Sequence, residues 1–206
     1  MKRSGHGHDP SGVAGTSTGE CAVMCPACPH PGKNLPSDWE KAEKPKVWIY
    51  ALFLAINANF HLKRLSASSD TCDPSLNQGS AYFFEEARYK EFLNVHTHTN
   101  IEEARTTASS VGTIECSQHS MKRLVFVGDL QKDSYPSNFV GMRAKSLNVR
   151  YLIPKFHLYM HCTHCQINYT FNLTPGVGHT DREAPERGWA AMNPVSSSTK
   201  EMGPGS

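Results

Sequence analysis

The sequence predicts an α/β fold, and three stretches carry this prediction. An unbroken apolar run at residues 47–56 is typical of a buried strand that is covered on both faces, and a helix of the same length is the alternative. Residues 81–95 place apolar side chains at helical spacing, which predicts an amphipathic helix on the core. Pro185 suits the first turn of a second helix, which would end near Met192 because Pro194 follows. The hydrophobic content of 38% is low for a compact globule, so we expect the domain to be incomplete and partly disordered.

The amino-terminal end of the chain differs in composition from the rest. Residues 1–20 are rich in Gly, Ser and Thr and carry almost no large apolar side chains, which predicts a disordered tail. No apolar segment follows the basic residues near the start, and the longest apolar run is too short to cross a bilayer. We therefore expect a protein that is not secreted and has no membrane partner. Its seven cysteines are then free thiols or metal ligands rather than disulfides.

A cysteine-rich knuckle is predicted at residues 21–36. Cys25 and Cys28 are separated by two residues among Pro and Gly turns, with Cys21 just before them. A tight turn of this kind lets two thiolates reach one tetrahedral zinc ion, but such a site requires a second half. Two pairs have suitable spacing for that half: Cys116 with His119, and Cys162 with Cys165. Isolated thiols in a turn are the alternative.

A further zinc set is suggested by the stretch that follows Pro154. His157, His161 and Cys165 are four residues apart and would line one stripe of a helix. The alternative is a helix whose histidines pair with carboxylates or solvent. The candidate ligands for a structural zinc ion are Cys21, Cys25, Cys28, Cys116, His119, His157, His161 and Cys165.

Five blocks of the sequence resemble the KDZ (Kyakuja, Dileera and Zisupton) transposases of mushroom-forming fungi, and together they span most of residues 21–206. The blocks are CPACPHPGKNLP at 25–36, NANFHLKR at 57–64, VGDLQK at 127–132, PKFHL at 154–158, and residues 176–205. The resemblance implies that residues 45–206 are part of a ribonuclease H-like core. In that family the core cuts and joins DNA with acidic residues that hold Mg²⁺. It also implies a nuclear location and DNA as the partner, with no small-molecule substrate.

The acids that this resemblance calls for are incomplete. Asn57 stands where the family has its first metal-binding aspartate, and a neutral amide cannot supply the charge that holds Mg²⁺ against its water shell. The family's second catalytic aspartate lies on a strand between the VGDLQK and PKFHL blocks, and this sequence lacks that strand. Glu186 and Glu183 are the residual catalytic candidates. Glu183 has an alternative structural role, because it can form a capping box with Thr180.

Two functions of different classes follow from the sequence. The first is a transposase remnant, truncated and internally deleted, that no longer cuts DNA because two acids are missing. The second is a zinc-stabilised module that binds nucleic acid or protein and was retained from a transposase. The net charge of +2 is too mild to argue for nucleic-acid binding by itself. In both cases we expect no active enzyme and no bound Mg²⁺.

Overall fold

A three-stranded antiparallel sheet forms the centre of the fold. The computed structural model of the protein describes residues 15–65, 79–96, 106–108, 110–130, 148–178 and 182–202. The central sheet has the order β1-β4-β5, and a separate two-stranded sheet pairs β2 with β3. The strands are β1 (Leu54–Asn59), β2 (Arg64–Leu65), β3 (Thr106–Ala108), β4 (Ser110–Cys116) and β5 (Lys122–Leu130).

Among the described residues four α-helices accompany the two sheets, so the mixed α/β class is confirmed. They are α1 (Glu86–His96), α2 (Thr163–Asn168), α3 (Ala184–Met192) and α4 (Ser196–Thr199). Short 3₁₀ helices lie at Trp39–Lys41, Lys44–Tyr50, Leu158–Met160, Phe171–Leu173 and Asn193–Val195.

The pairing of β1 with β4 sets which side chains lie on each face of the sheet. Ile56 is opposite Ile114, and Asn57 is opposite Thr113. Since side chains alternate along a strand, Ile56 and Asn57 point to opposite faces. Helix α3 packs on β1 and β4 and contacts the face that carries Asn57. The register therefore directs a polar residue of β1 toward α3.

The apolar face of the sheet packs against α1. Phe84, Tyr89, Ile114 and Leu130 form its buried core, and Phe92 adds to it from the helix. The rings of Phe84 and Tyr89 meet edge to face with their centroids 4.9 Å apart. The amphipathic helix predicted at residues 81–95 is thus confirmed, with its start moved to Glu86.

Gly128 in β5 is required by the position of the Phe84 ring. A Cβ built on Gly128 would lie 1.4 Å from the ring atom Cε1 of Phe84. We expect Gly128→Ala to lower the free energy of unfolding by about 3 kcal/mol, because the ring must leave the core. Urea unfolding followed by circular dichroism measures this change.

Gly188 in α3 provides the matched control for this substitution. The closest atom to a Cβ at Gly188 is Lys122 Nζ at 3.8 Å, so Gly188→Ala has room and gains helix propensity. Equal stabilities of the two variants would contradict the packing described for Phe84.

The strand predicted at residues 47–56 is wrong in its first half. Pro45 lies in the first turn of the 3₁₀ helix Lys44–Tyr50, where its fixed φ favours a helical start. Val47, Trp48 and Ile49 are each about half exposed, so this part of the apolar run is not buried. The strand begins only at Leu54. Among the described residues it is an edge strand of the sheet rather than a central one.

Residues 15–20 of the predicted tail lie in the described part of the chain and make backbone contacts. The Gly19 amide donates to the Gly79 carbonyl at 2.7 Å, and the Ala81 amide donates to the Glu20 carbonyl at 3.1 Å. These bonds join Gly19 and Glu20 to the segment that precedes α1. Residues 1–14 lie outside the described part of the chain.

The helix predicted around Pro185 is confirmed. Helix α3 has Pro185 in its first turn and ends at Met192, and the 3₁₀ helix Asn193–Val195 that follows contains Pro194. Trp189 is buried and anchors the helix to the sheet. Glu186, one turn earlier, is therefore held above the polar face of β1.

Candidate functional site

Four potential metal ligands from two distant parts of the chain converge at the end of β4. Cys25 and Cys28 form a tight turn in which the Cys28 amide donates to the Cys25 carbonyl at 3.2 Å. Cys116 is the last residue of β4, and the hairpin that follows is closed by its amide, which donates to the Met121 carbonyl at 2.8 Å. His119 lies in that hairpin turn. We call Cys25, Cys28, Cys116 and His119 the thiol cluster.

The distances within the thiol cluster are those of potential ligands to one ion. His119 Nδ1 lies 3.4 Å from Cys25 Sγ and 3.3 Å from Cys116 Sγ. The ligand atoms of these three residues lie within 4.8 Å of one another, so the three could hold a metal ion. Cys28 packs against Cys25 and Cys116 and is the fourth candidate ligand. Of the two second halves that the sequence left open, the structure brings Cys116 and His119 to the knuckle.

Burial and hydrogen bonding shift the pKa values of the two knuckle thiols, Cys25 and Cys28, in opposite directions. Burial raises the pKa of the Cys28 thiol, and the hydrogen bonds with Cys116 and Cys25 raise it further. Burial also acts to raise the pKa of Cys25, but hydrogen bonds from the Ala27 backbone and the Cys28 thiol outweigh it, so this pKa is lowered. The cluster therefore favours a thiolate at Cys25, which is the form that binds metal.

Two polar side chains fix the shape of the knuckle behind the thiols. His30 Nε2 lies 2.8 Å from the Cys25 carbonyl oxygen, and a carbonyl can only accept, so the ring donates there. Asn34 Nδ2 donates to the Cys28 carbonyl at 2.8 Å and to the Pro26 carbonyl at 3.2 Å. Outer contacts of this kind orient the ligands of a metal site before the ion binds.

A second group of polar side chains meets where α3 crosses β1. Asn57 Nδ2 donates to Glu186 Oε1 at 2.5 Å, and His157 Nε2 lies 3.2 Å from the same oxygen. The Phe156 amide donates to Glu183 Oε1 at 2.8 Å. The ligand atoms of His157, Glu183 and Glu186 lie within 4.8 Å of one another. We call Asn57, His157, Glu183 and Glu186 the carboxylate cluster.

Arg182 is a residue of this region that the sequence did not single out. Its side chain is 1% exposed, and the residue has a φ of 62°, a value that few residues other than glycine adopt. The guanidinium donates to Ser117 Oγ at 3.0 Å and to the Val177 carbonyl, and it lies over the rings of Phe53 and Phe171. Arg182 thereby fixes the chain just before Glu183. Only its position next to the predicted helix could have drawn attention to it.

The single-helix arrangement of His157, His161 and Cys165 is wrong. His161 has extended dihedral angles, φ −97° and ψ 154°, and separates the 3₁₀ helix Leu158–Met160 from α2. The three side chains therefore do not share one stripe. Cys165 Sγ instead lies 3.6 Å from Cys162 Sγ.

The remaining predicted residues lie apart from both clusters or outside the described residues. Cys21 is exposed and is not part of the thiol cluster. Thr180 lies outside the described part of the chain. Glu183 directly precedes α3 and makes no side-chain capping bond, because its carboxylate accepts from Phe156 instead.

The comparison with protein families matches the carboxy-terminal part of the chain. Residues 129–206 match the model described as Kyakuja-Dileera-Zisupton transposase. Over this stretch, which we call the KDZ segment, the chain is similar to the KDZ transposases. The KDZ segment contains His157, Glu183 and Glu186, whereas Asn57 and the thiol cluster precede it.

The other comparisons add no relatives to the KDZ match. No curated protein and no solved structure matches the chain significantly. Within the described residues, no helix is both long and apolar enough to cross a membrane.

Proposed function

We propose that this protein derives from a KDZ transposase and no longer cleaves DNA. The observation that carries the proposal is the hydrogen bond from Asn57 to Glu186. The resemblance places the family's first aspartate at residue 57, where it would share a metal ion with a glutamate. Here an amide N–H occupies Glu186 Oε1 and brings no charge. The pair of carboxylates that would bind a metal ion in the family is thus replaced by a hydrogen bond between the neutral Asn57 amide and Glu186.

The carboxylate cluster does not fit two Mg²⁺ ions. Mg²⁺ prefers oxygen ligands in octahedral geometry, and two ions held close together need several carboxylates between them. The cluster has two carboxylates, an amide and an imidazole. Within the described residues β1 pairs only with β4, so no neighbouring strand supplies a second acid there. The sequence between the VGDLQK and PKFHL blocks, where the family's strand is missing, supports an internal deletion.

The ancestral activity in this proposal is metal-dependent DNA transposition in the nucleus of a fungal cell. We retain the ribonuclease H-like core as part of the proposal. It is supported by a sheet with helices on both faces and by a KDZ segment that supplies α3 and Glu186. DNA is the proposed partner of the ancestral enzyme.

A cleavage assay tests the loss of activity. We expect the purified protein to leave supercoiled plasmid DNA intact in Mg²⁺ or Mn²⁺, at the same background level as the Glu186→Gln variant. The reason is that neither protein holds the charge needed for a two-metal site. Nicking that the unmodified protein shows and the Glu186→Gln variant loses would overturn the proposal.

We propose as a second function that the chain is a zinc-held binding module. The thiol cluster supports this, because three thiols and an imidazole are a donor set of structural zinc sites, and they join the knuckle to the β4–β5 hairpin. Phe156, Tyr159 and Met160 are 75%, 84% and 86% exposed in one short segment. Exposed apolar residues of this size favour a protein partner over DNA. Fluorescence anisotropy with labelled duplex DNA tests whether DNA rather than a protein is the partner. Binding to DNA would weaken steeply with added salt.

A further inference from the structure

We propose that Cys162 and Cys165 form a reversible redox site, in which a hydroperoxide oxidises the two thiols to an intramolecular disulfide. The site is separate from the thiol cluster and from the carboxylate cluster. It requires neither the ancestral DNA chemistry nor a zinc ion in the thiol cluster.

The backbone places the two thiols side by side. Cys162 directly precedes α2, and Cys165 lies in the first turn of that helix. The Gln166 amide donates to the Cys162 carbonyl at 3.0 Å, which holds this turn in place. Residues three apart in a helical turn lie on the same side, and the two Sγ atoms are 3.6 Å apart. A disulfide bond is about 2.0 Å long, so the sulfur atoms need to approach by only roughly 1.5 Å to form one.

Solvent reaches this pair but not the thiols of the thiol cluster. Cys162 is exposed and Cys165 is partly exposed. Cys25, Cys28 and Cys116 are each at most 4% exposed. Because a thiol must be accessible to react, a dissolved oxidant meets the exposed pair first.

The surroundings of the two thiols assign them different steps. The backbone amide of Cys165 forms a hydrogen bond with the Cys162 sulfur and lowers the pKa of that thiol. The hydrogen bond with the Cys162 thiol raises the pKa of Cys165. Cys162 is also the more exposed of the two. Cys162 is therefore the residue that attacks the oxidant, and Cys165 is the residue that resolves the product.

The reaction needs only the two thiols and the hydroperoxide. The Cys162 thiolate attacks one peroxide oxygen, the O–O bond breaks, and the leaving oxygen takes up the proton that this thiol released. Cys165 then attacks the sulfur of the sulfenic acid on Cys162, the S–O bond breaks, and the hydroxyl leaves as water with the Cys165 proton. The two thiols together lose one electron pair, which reduces the hydroperoxide to water or an alcohol. A dithiol reductant restores both thiols by exchange.

The neighbouring histidines do not complete a metal site with this pair. Among the described residues, neither group of three potential metal ligands includes Cys162 or Cys165. His164 Nδ1 accepts from the Asn168 side-chain amide at 3.3 Å, so this ring nitrogen is already occupied. Dithiol chemistry is therefore what the arrangement supports.

Peptide mapping after peroxide treatment tests the site in the full-length protein supplied with zinc. Hydrogen peroxide is added and then removed with catalase, and the chain is unfolded and alkylated with iodoacetamide. The tryptic peptide 156–182 contains both cysteines, so it should gain two carbamidomethyl groups before treatment and none after it. Dithiothreitol added after the peroxide should restore both groups. A peptide that still gains both groups after peroxide, or an oxidation that dithiothreitol does not reverse, would refute the redox site.

Serine variants identify the residues that react. Cys165→Ser should lose the disulfide and stop at the sulfenic acid on Cys162, which dimedone labels. Cys21→Ser is the matched control, because Cys21 is exposed and outside the thiol cluster. It should form the disulfide as the unmodified protein does. The proposal fails if Cys21→Ser loses the disulfide or if Cys165→Ser takes up no dimedone.

Discussion

Cys116→Ser is expected to abolish cooperative thermal unfolding of the protein. Cys116 is fully buried at the end of β4 and contacts both the knuckle thiols and His119. A structural zinc ion contributes about 10–16 kcal/mol of apparent binding free energy, whereas a whole domain is stable by about 5–15 kcal/mol. Loss of one ligand therefore removes a large part of the stability. Chelator should have the same effect on the unmodified protein, measured by circular dichroism as a function of temperature.

The proton affinities of the thiols give this prediction a pH dependence. Zinc binds thiolates, so each thiol must lose its proton when the ion enters. Burial raises the pKa of Cys28, so binding of the ion must displace a proton that this thiol holds more tightly than an exposed thiol does. Zinc affinity, and with it the melting temperature of the zinc-loaded protein, is expected to fall as the pH is lowered. A melting temperature that rises toward acid pH would contradict zinc ligation by this cluster.

Cys162→Ser is the control for the thiol cluster. Cys162 is exposed, and its partner Cys165 is outside the thiol cluster. It should leave both the melting temperature and a zinc content of about one ion per chain unchanged. If Cys116→Ser and Cys162→Ser melt alike, or if chelator has no effect, the thiol cluster does not hold a structural ion.

The elements that the sequence predicted correctly depend on local signals. Pro185 and Pro194 bracket α3 because proline fits the first turn of a helix and cannot continue its last. Helix α1 follows from apolar spacing alone. The apolar run at residues 47–56 was misjudged, because side-chain hydrophobicity does not show where backbone pairing with β4 begins.

The candidate sites depend on contacts between distant residues, and the sequence left these open. It offered two partners for the knuckle, and only the closing of the β4–β5 hairpin selects Cys116 and His119. The hydrogen bond between Asn57 and Glu186 depends on where α3 crosses β1. Arginine is a residue type that usually lies at the protein surface. The burial of Arg182 between two aromatic rings therefore follows from no local sequence pattern.

Lys122→Met is expected to lower the free energy of unfolding by about 3–5 kcal/mol. Lys122 Nζ lies 2.5 Å from Glu115 Oε2, and the Glu115 side chain is 2% exposed. The ammonium also lies 5.1 Å from the centroid of the Trp189 ring, so it joins the sheet to α3. Removing the ammonium leaves a buried carboxylate without its counter-ion, and this is far more costly than losing a surface ion pair. Urea unfolding measures the difference.

A double variant and a surface control separate the buried charge from the loss of packing. Glu115→Leu together with Lys122→Met replaces the whole pair by apolar side chains, so it should recover most of the stability that Lys122→Met loses. Lys46→Met removes the lysine of an exposed pair with Glu43, 3.7 Å apart, and should change stability by less than about 1 kcal/mol. Suppose instead that Lys122→Met costs no more than Lys46→Met. Glu115 would then be solvated in the folded protein, and the packing of α3 on the sheet could not be as tight as described.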